Sequence, residues 1–324
     1  FFLVYILLLI WANLRSLKIA KTIDDYTIGG HRIGLIMGVG TTTATWVSVA
    51  SVVGVPGILY SNGTSGVIGW VAGWCFGTAL LPLVAYRARR PKIPPRTFPE
   101  FIRFRYEPFQ ERSFLQALVG ILMFIGYLLF VNIQVTGFGI VFSTITGLDY
   151  KIAIFAFLLL IIITSLGGFW SVAATDTINT SFIALGVITL ATIVWSLTGG
   201  FSSILTEIAT TTAPTIEGGE NLTPGILLSP TGSFGLSALI SIFLANSIGT
   251  PSCPHWVVRM FAPKNVKVAI MQVMGTLILL LVIFVPLVIV GLGAKVLIPS
   301  LPAGKSIDYI VPLIIQQYMN PALG

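Results

Sequence analysis

Two stretches hold most of the chemistry this chain can offer inside a membrane. Gly38–Gly57 reads GVGTTTATWVSVASVVGVPG and carries Thr41, Thr42, Thr43, Thr45 and Ser48. Leu244–Phe261 reads LANSIGTPSCPHWVVRMF and carries Asn246, Ser247, Thr250 and Ser252 beside two prolines. Both lie in apolar runs of membrane-crossing length. Hydroxyls, and carbonyls freed where Gly or Pro interrupts the helical ladder, are hard neutral oxygens suited to Na+ or to polar groups of a small solute. Gly54, Pro56, Pro251 and Pro254 are the expected breaks. Non-helical backbone at membrane depth is tolerated only where protein buries it or it lines a cavity. Small residues also let helices pack closely, so either stretch alone reads equally well as a packing seam. Two interrupted segments in corresponding halves favour a transporter's binding site.

Acid–base chemistry is missing from both. The eleven Asp and Glu fall, on sequence alone, in connectors or at span ends, and Asp176 reads as a helix N-cap. No proton relay or catalytic cluster is therefore expected within a span, which argues against an enzyme. A coupling ion would have to be held by hydroxyls and carbonyls.

The elements that position these residues follow from composition. The 324 residues are 55% hydrophobic and 9% charged, against roughly 25% charged in soluble domains. The expectation is an all-α integral membrane protein with spans at 1–12, 33–60, 67–85, 114–145, 152–166, 176–198, 233–252, 269–293 and from about 309. The chain begins without Met inside an apolar run and ends at the start of another, as expected of a fragment of a longer protein. Cys75 and Cys253 sit in or beside spans and imply no disulfide framework. Every Lys and Arg except Lys151, Lys295 and Lys305 lies on alternate connectors, 13–32, 86–113 and 253–268, which places those loops in the cytoplasm. The net charge of +7 is thus a topology signal in a lipid bilayer and needs no nucleic acid.

Five motifs in order resemble the sodium:solute symporters, the family that includes proline, sugar, pantothenate and acetate carriers. They are Asp25-Tyr26-Thr27-Ile28-Gly29-Gly30 through Gly34; Pro56-Gly57-Ile58-Leu59-Tyr60; Phe98-Pro99-Glu100-Phe101 to Arg105-Tyr106; Gly167-Gly168-Phe169-Trp170-Ser171-Val172 with Thr175-Asp176; and Pro254-His255 with Arg259 and Phe261. The resemblance implies a leucine-transporter-type fold of two inverted five-helix repeats preceded by one helix. The chain then divides into a preceding helix and first loop at 1–32, a first repeat at 33–198 and an extracellular loop at 199–232. An incomplete second repeat occupies 233–324, cut after core helix seven at the start of core helix eight.

The resemblance further implies Na+ at the carbonyls of Ala44 and Val47 with Ser48 close by, the remaining ligands lying on core helix eight outside this chain. Substrate would lie against Thr45, Trp46, Asn246, Gly249 and Thr250. Trp46 stands where proline carriers have an acidic residue, and Asn246 and Thr250 stand where they have aromatics, which points to a different cargo. The expected function is Na+-coupled symport of a small organic solute, a monocarboxylate, amino acid or similar, across the plasma membrane. A transporter-like sensory module and an H+-coupled carrier on the same fold are the alternatives.

Overall fold

A computed structural model describes residues 2–91, 94–110 and 112–319. Phe1, Lys92 and Glu111 lie outside the described residues, as does the end of the expected second repeat at 320–324. Five helices are long and apolar enough to cross a membrane unbroken: Thr64–Arg89, Phe114–Thr146, Gly168–Thr198, Gly235–Arg259 and Val266–Leu297. A bent pair, Leu35–Trp46 and Val49–Asn62, supplies a sixth, and Val4–Leu17 and Tyr150–Ser165 are shorter apolar helices. Each expected span is therefore present as helix, and a further helix, Ile310–Tyr318, begins where the ninth was placed.

In chain order the helices used below are α1 (Phe2–Leu17), α2 (Ile23–Ile28), α3 (Leu35–Trp46), α4 (Val49–Val52) and α5 (Gly54–Asn62). Thr64–Gly66 (α6) and Gly73–Arg89 (α7) join through a π-helical stretch, Val67–Ala72, into one span. Then come α8 (Phe98–Tyr106), α9 (Phe114–Thr146), α10 (Tyr150–Ser165), α11 (Gly168–Thr198), α12 (Phe201–Thr210), α13 (Gly235–Gly249), α14 (Pro254–Arg259), α15 (Val266–Leu297) and α16 (Ile310–Tyr318). Local caps start several of them. Thr22 and Asp25 form a capping box on α2, Thr97 accepts from the Glu100 N–H at α8, and Asn265 accepts from the Val268 N–H at α15.

The core is built around α15, which packs against α3, α5, α7 and α11. Its Leu280, Ile283, Phe284 and Leu287 are fully buried. The apolar residues of α9 from Ile121 to Ile133 are by contrast mostly exposed, a surface suited to hydrocarbon rather than water. Glycine sets the closest approach between α7 and α13. A Cβ on Gly77 would lie 2.6 Å from the Ser247 carbonyl, and one on Gly73 2.9 Å from the Asn246 Cβ.

Candidate functional site

The first core span breaks between Trp46 and Val49, where its two halves bend by 63°. Val47 (φ −97°, ψ 83°) and Ser48 (φ −106°, ψ −176°) leave helical geometry altogether. Among the described residues no backbone N–H reaches the carbonyls of Ala44 or Val47. The Trp46 carbonyl is satisfied from the far side of the break by Ser51 Oγ at 2.6 Å. Ser48 Oγ lies 3.5 Å from the amide of Gln134 on α9. The sodium-site residues expected from the sequence therefore lie at the break, where among the described residues the carbonyls of Ala44, Thr45 and Val47 all lack a donor and the Ser48 hydroxyl stands beside them.

The expected positions of the break need correction. Gly54 opens α5 and Pro56 sits in its first turn, so neither lies at the main bend. Pro56 lacks an N–H for the Val52 carbonyl, and the result is only a local turn at Val53. The second interruption falls where the prolines put it but is milder. Pro251 lies in a 3-10 turn, Thr250–Ser252, Cys253 is extended, and Pro254 opens α14 at a position that needs no N–H. Gly235–Arg259 still runs as one span.

Below the break, the Thr41 and Thr43 hydroxyls reach neighbouring helices. Thr41 Oγ1 donates to Asp176 Oδ2 at 2.6 Å, and Arg259 reaches the same carboxylate at 3.4 Å while donating to the Thr41 carbonyl at 3.1 Å. Thr180 Oγ1 donates to the Gly40 carbonyl at 2.9 Å, and Thr43 meets Thr276 at 3.5 Å. The buried Gln272 donates to the Arg259 carbonyl at 3.1 Å. Asp176 is thus no N-cap: α11 starts at Gly168, and the carboxylate stands inside a span. The polar run after Gly168 misled the sequence reading because its side chains face protein. Ser171, for example, donates to Asn13 Oδ1 at 2.6 Å. Among the described residues no group of three His, Cys, Asp or Glu converges on a metal position.

The five expected substrate residues fall in two groups, Thr45 and Trp46 at the end of α3 and Asn246, Gly249 and Thr250 around the end of α13. Asn246 donates across to the Gly69 carbonyl, in the π-helical stretch before α7, at 3.1 Å, whereas Thr250 back-bonds to the Asn246 carbonyl at 2.6 Å and packs against Gly77 of α7. Gly249 faces open space, and Thr45 back-bonds to the Thr41 carbonyl at 2.7 Å. Trp46 is different. It is 4% exposed and stacks on Trp256 with ring centroids 3.9 Å apart, Trp74 lying 6.0 Å away. The indole N–H groups of Trp46 and Trp256 are both buried and have no acceptor among the described residues. Trp256 was not visible in the sequence as a site residue, since an aromatic after Pro-His reads as packing.

The fold and these residues have relatives. The chain matches the Sodium:solute symporter family over residues 26–322. It is 25% identical over 312 residues to a sodium/pantothenate symporter of Haemophilus influenzae, covering 93% of this chain and 60% of that protein. It is 27% identical over 256 residues to the high-affinity proline transporter PutP of Bacillus subtilis, covering 77% and 50%. The chain thus spans about half to three fifths of the length of such relatives. A solved Na+-coupled sialic acid symporter, in a substrate-bound outward-open state with a novel Na+ site, superposes with a TM-score of 0.79 over 98% of this chain and 65% of its own, at 22% identity. That likeness shows the shared all-helical fold of leucine-transporter type. With the family matched over almost its whole length, the chain belongs to the sodium:solute symporter family, whose members are carriers and not enzymes.

Proposed function

We propose that this chain forms the ion-binding part of a Na+-coupled carrier for a small organic solute, working by alternating access. The observation that carries the reading is the break at Val47–Ser48. It leaves the Ala44 and Val47 carbonyls without donors, and such an uncompensated pair costs several kcal/mol in a membrane interior unless a ligand takes it up. A sodium ion held by these carbonyls and Ser48 supplies that compensation, with further oxygens completing its shell. On this reading 33–198 forms one repeat and 233–324 belongs to its inverted counterpart. The 1–32 segment precedes them, 199–232 lies outside the cell, and the basic loops 13–32, 86–113 and 253–268 face the cytoplasm of a plasma-membrane protein.

The solute sits beside the break, where the paired indole N–H groups of Trp46 and Trp256 want acceptors. Two neutral donors against an aromatic wall of Trp74 and Phe284 favour a solute with a carboxylate or comparable acceptor on a small apolar body. The expected Asn246 and Thr250 contribute indirectly, Asn246 by its bond to Gly69 in the same span as Trp74 and Thr250 by packing on Gly77.

The test is uptake by the intact protein in proteoliposomes against a panel of labelled solutes, with Na+ replaced by choline or Li+. Accumulation of a carboxylate-bearing solute that needs Na+ is expected. Ala44→Leu should abolish Na+ dependence, and Trp46→Phe should raise the solute concentration needed for half-maximal uptake. Uptake indifferent to Na+ refutes the coupling, and unchanged Na+ affinity in Ala44→Leu refutes the site.

A further inference from the structure

We propose that the basic end of the molecule carries a built binding site for the phosphate of an anionic phospholipid, between the end of α7 and the amphipathic α8. A cavity of about 970 Å³ opens there, lined on its charged side by Arg87, Arg90 and Arg105. Its walls include Tyr86, Phe104 and Tyr106, all exposed.

The arginines of this region divide by what they already hold. Arg89 donates to the carbonyls of Pro263 and Lys264 at 2.5 and 3.2 Å. Arg96 pairs with Asp24 at 2.5 Å, and Arg103 reaches Gln116 at 3.4 Å. Those three are used by the fold. Arg87, Arg90 and Arg105 face the cavity, and among the described residues none has a carboxylate within ion-pair distance or a side-chain hydrogen bond. Arg90 lies over the Tyr86 ring, 5.7 Å from its centroid, which aims the guanidinium along the cavity wall.

Three guanidiniums lining one cavity suit a phosphate, which Arg binds bidentately. Exposed aromatics in the same lining, at the end of the Thr64–Arg89 span, suit the acyl–headgroup boundary. A purely solvated basic face needs neither a shared cavity nor the aromatic wall. A free phosphate would use the arginines and leave the rings idle, so a lipid accounts for both halves of the lining.

The test is native mass spectrometry of the intact detergent-solubilised protein titrated with phosphatidylglycerol, phosphatidylcholine or inorganic phosphate. Phosphatidylglycerol should bind selectively. Arg87→Gln/Arg90→Gln/Arg105→Gln should lose roughly 100-fold in affinity, about fivefold for each basic residue near an anionic lipid. Lys18→Gln/Lys21→Gln/Lys267→Gln removes the same charge elsewhere on the basic side and should change it little. Equal loss in both triple variants, equal binding of phosphatidylcholine, or competition by inorganic phosphate as strong as by the lipid overturns the proposal. If the triple variant does not insert, Arg90→Lys and Tyr106→Ala should each weaken phosphatidylglycerol binding several-fold, and unchanged binding in both overturns it.

Discussion

The pair Asp176–Arg259 ties α11 to α14 across α3, and its removal should be felt unequally from the two sides. The carboxylate and guanidinium are 3.4 Å apart and each side chain is 16% exposed. Opposite charges at that distance attract by roughly 5 kcal/mol at an effective dielectric near 20, a gain that desolvation largely offsets. What decides the cost of a substitution is therefore what the surviving partner keeps. Arg259 without the carboxylate still donates to the carbonyls of Thr41 and His255 at 3.1 and 3.2 Å. Asp176 without the guanidinium keeps, among the described residues, only the Thr41 hydroxyl. Asp176→Asn should cost about 2 kcal/mol and Arg259→Gln about 3–4 kcal/mol, the latter near the range for an uncompensated buried charge. The double variant should recover about 2 kcal/mol relative to the sum, as coupled neighbours do. Unfolding of the purified protein in mild detergent, followed for wild type, both single variants and the double, gives the cycle. Additivity to within about 0.5 kcal/mol would show that the two side chains do not interact. The reverse order of the single costs would show that the carbonyls do not support the guanidinium.

Gly77→Val should separate α7 from α13, because even its Cβ would meet the Ser247 carbonyl and Thr250 at 2.6 Å. A loss of roughly 1–3 kcal/mol is expected from such overpacking, read as a lower melting midpoint. Ser51→Ala removes the 2.6 Å hydrogen bond to the Trp46 carbonyl and should cost about 1–2 kcal/mol, with faster amide exchange confined to residues 47–53. Lys295 donates to the carbonyls of Ala213, Pro214 and Pro299 at 3.0, 3.0 and 2.6 Å, so Lys295→Met should loosen the 213–217 segment. Its sign is faster exchange at the Glu217 and Leu301 amides, which pair across that segment. Asp25 gives a pH dependence. Burial pushes its carboxyl up, but hydrogen bonds from Arg32, Thr22 and Lys21 and the Arg32 charge outweigh that and hold it below the ordinary range. The stabilisation is therefore full above the unfolded carboxylate pKa and fades as pH falls through the lowered folded value. Asp25→Asn should remove that acid-side decline, and an unchanged decline in the variant's melting midpoint would refute its origin.

The parts of this molecule set by one-dimensional pattern were legible in its sequence, and those set by three-dimensional contact were not. Apolar run length placed the spans, because a bilayer demands about 20 apolar residues whatever their partners. The break in the first core helix was legible as a region but not as a position. Gly54 and Pro56 are the visible helix breakers, yet the chain bends at Val47–Ser48, which carry no local breaker at all. What supports a break there is tertiary, the Ser51 hydroxyl capping Trp46 from the far side and Gln134 reaching Ser48 from α9. Asp176 failed for the same reason. A carboxylate in a polar run reads as a helix start, whereas inside a protein it is held by a threonine and an arginine far along the chain. The Thr41 and Thr43 hydroxyls and the amide of Asn246 likewise read as candidate ligands, and in the structure they bond to neighbouring helical segments. In a membrane an unpaired polar group is costly enough that most find a protein partner. The informative polar atoms are therefore among the ones left over, which include the Ala44, Thr45 and Val47 carbonyls, the indole N–H groups of Trp46, Trp170 and Trp256 and the Gln272 Oε1. Sequence can nominate candidates for that remainder, but only the packed structure performs the subtraction.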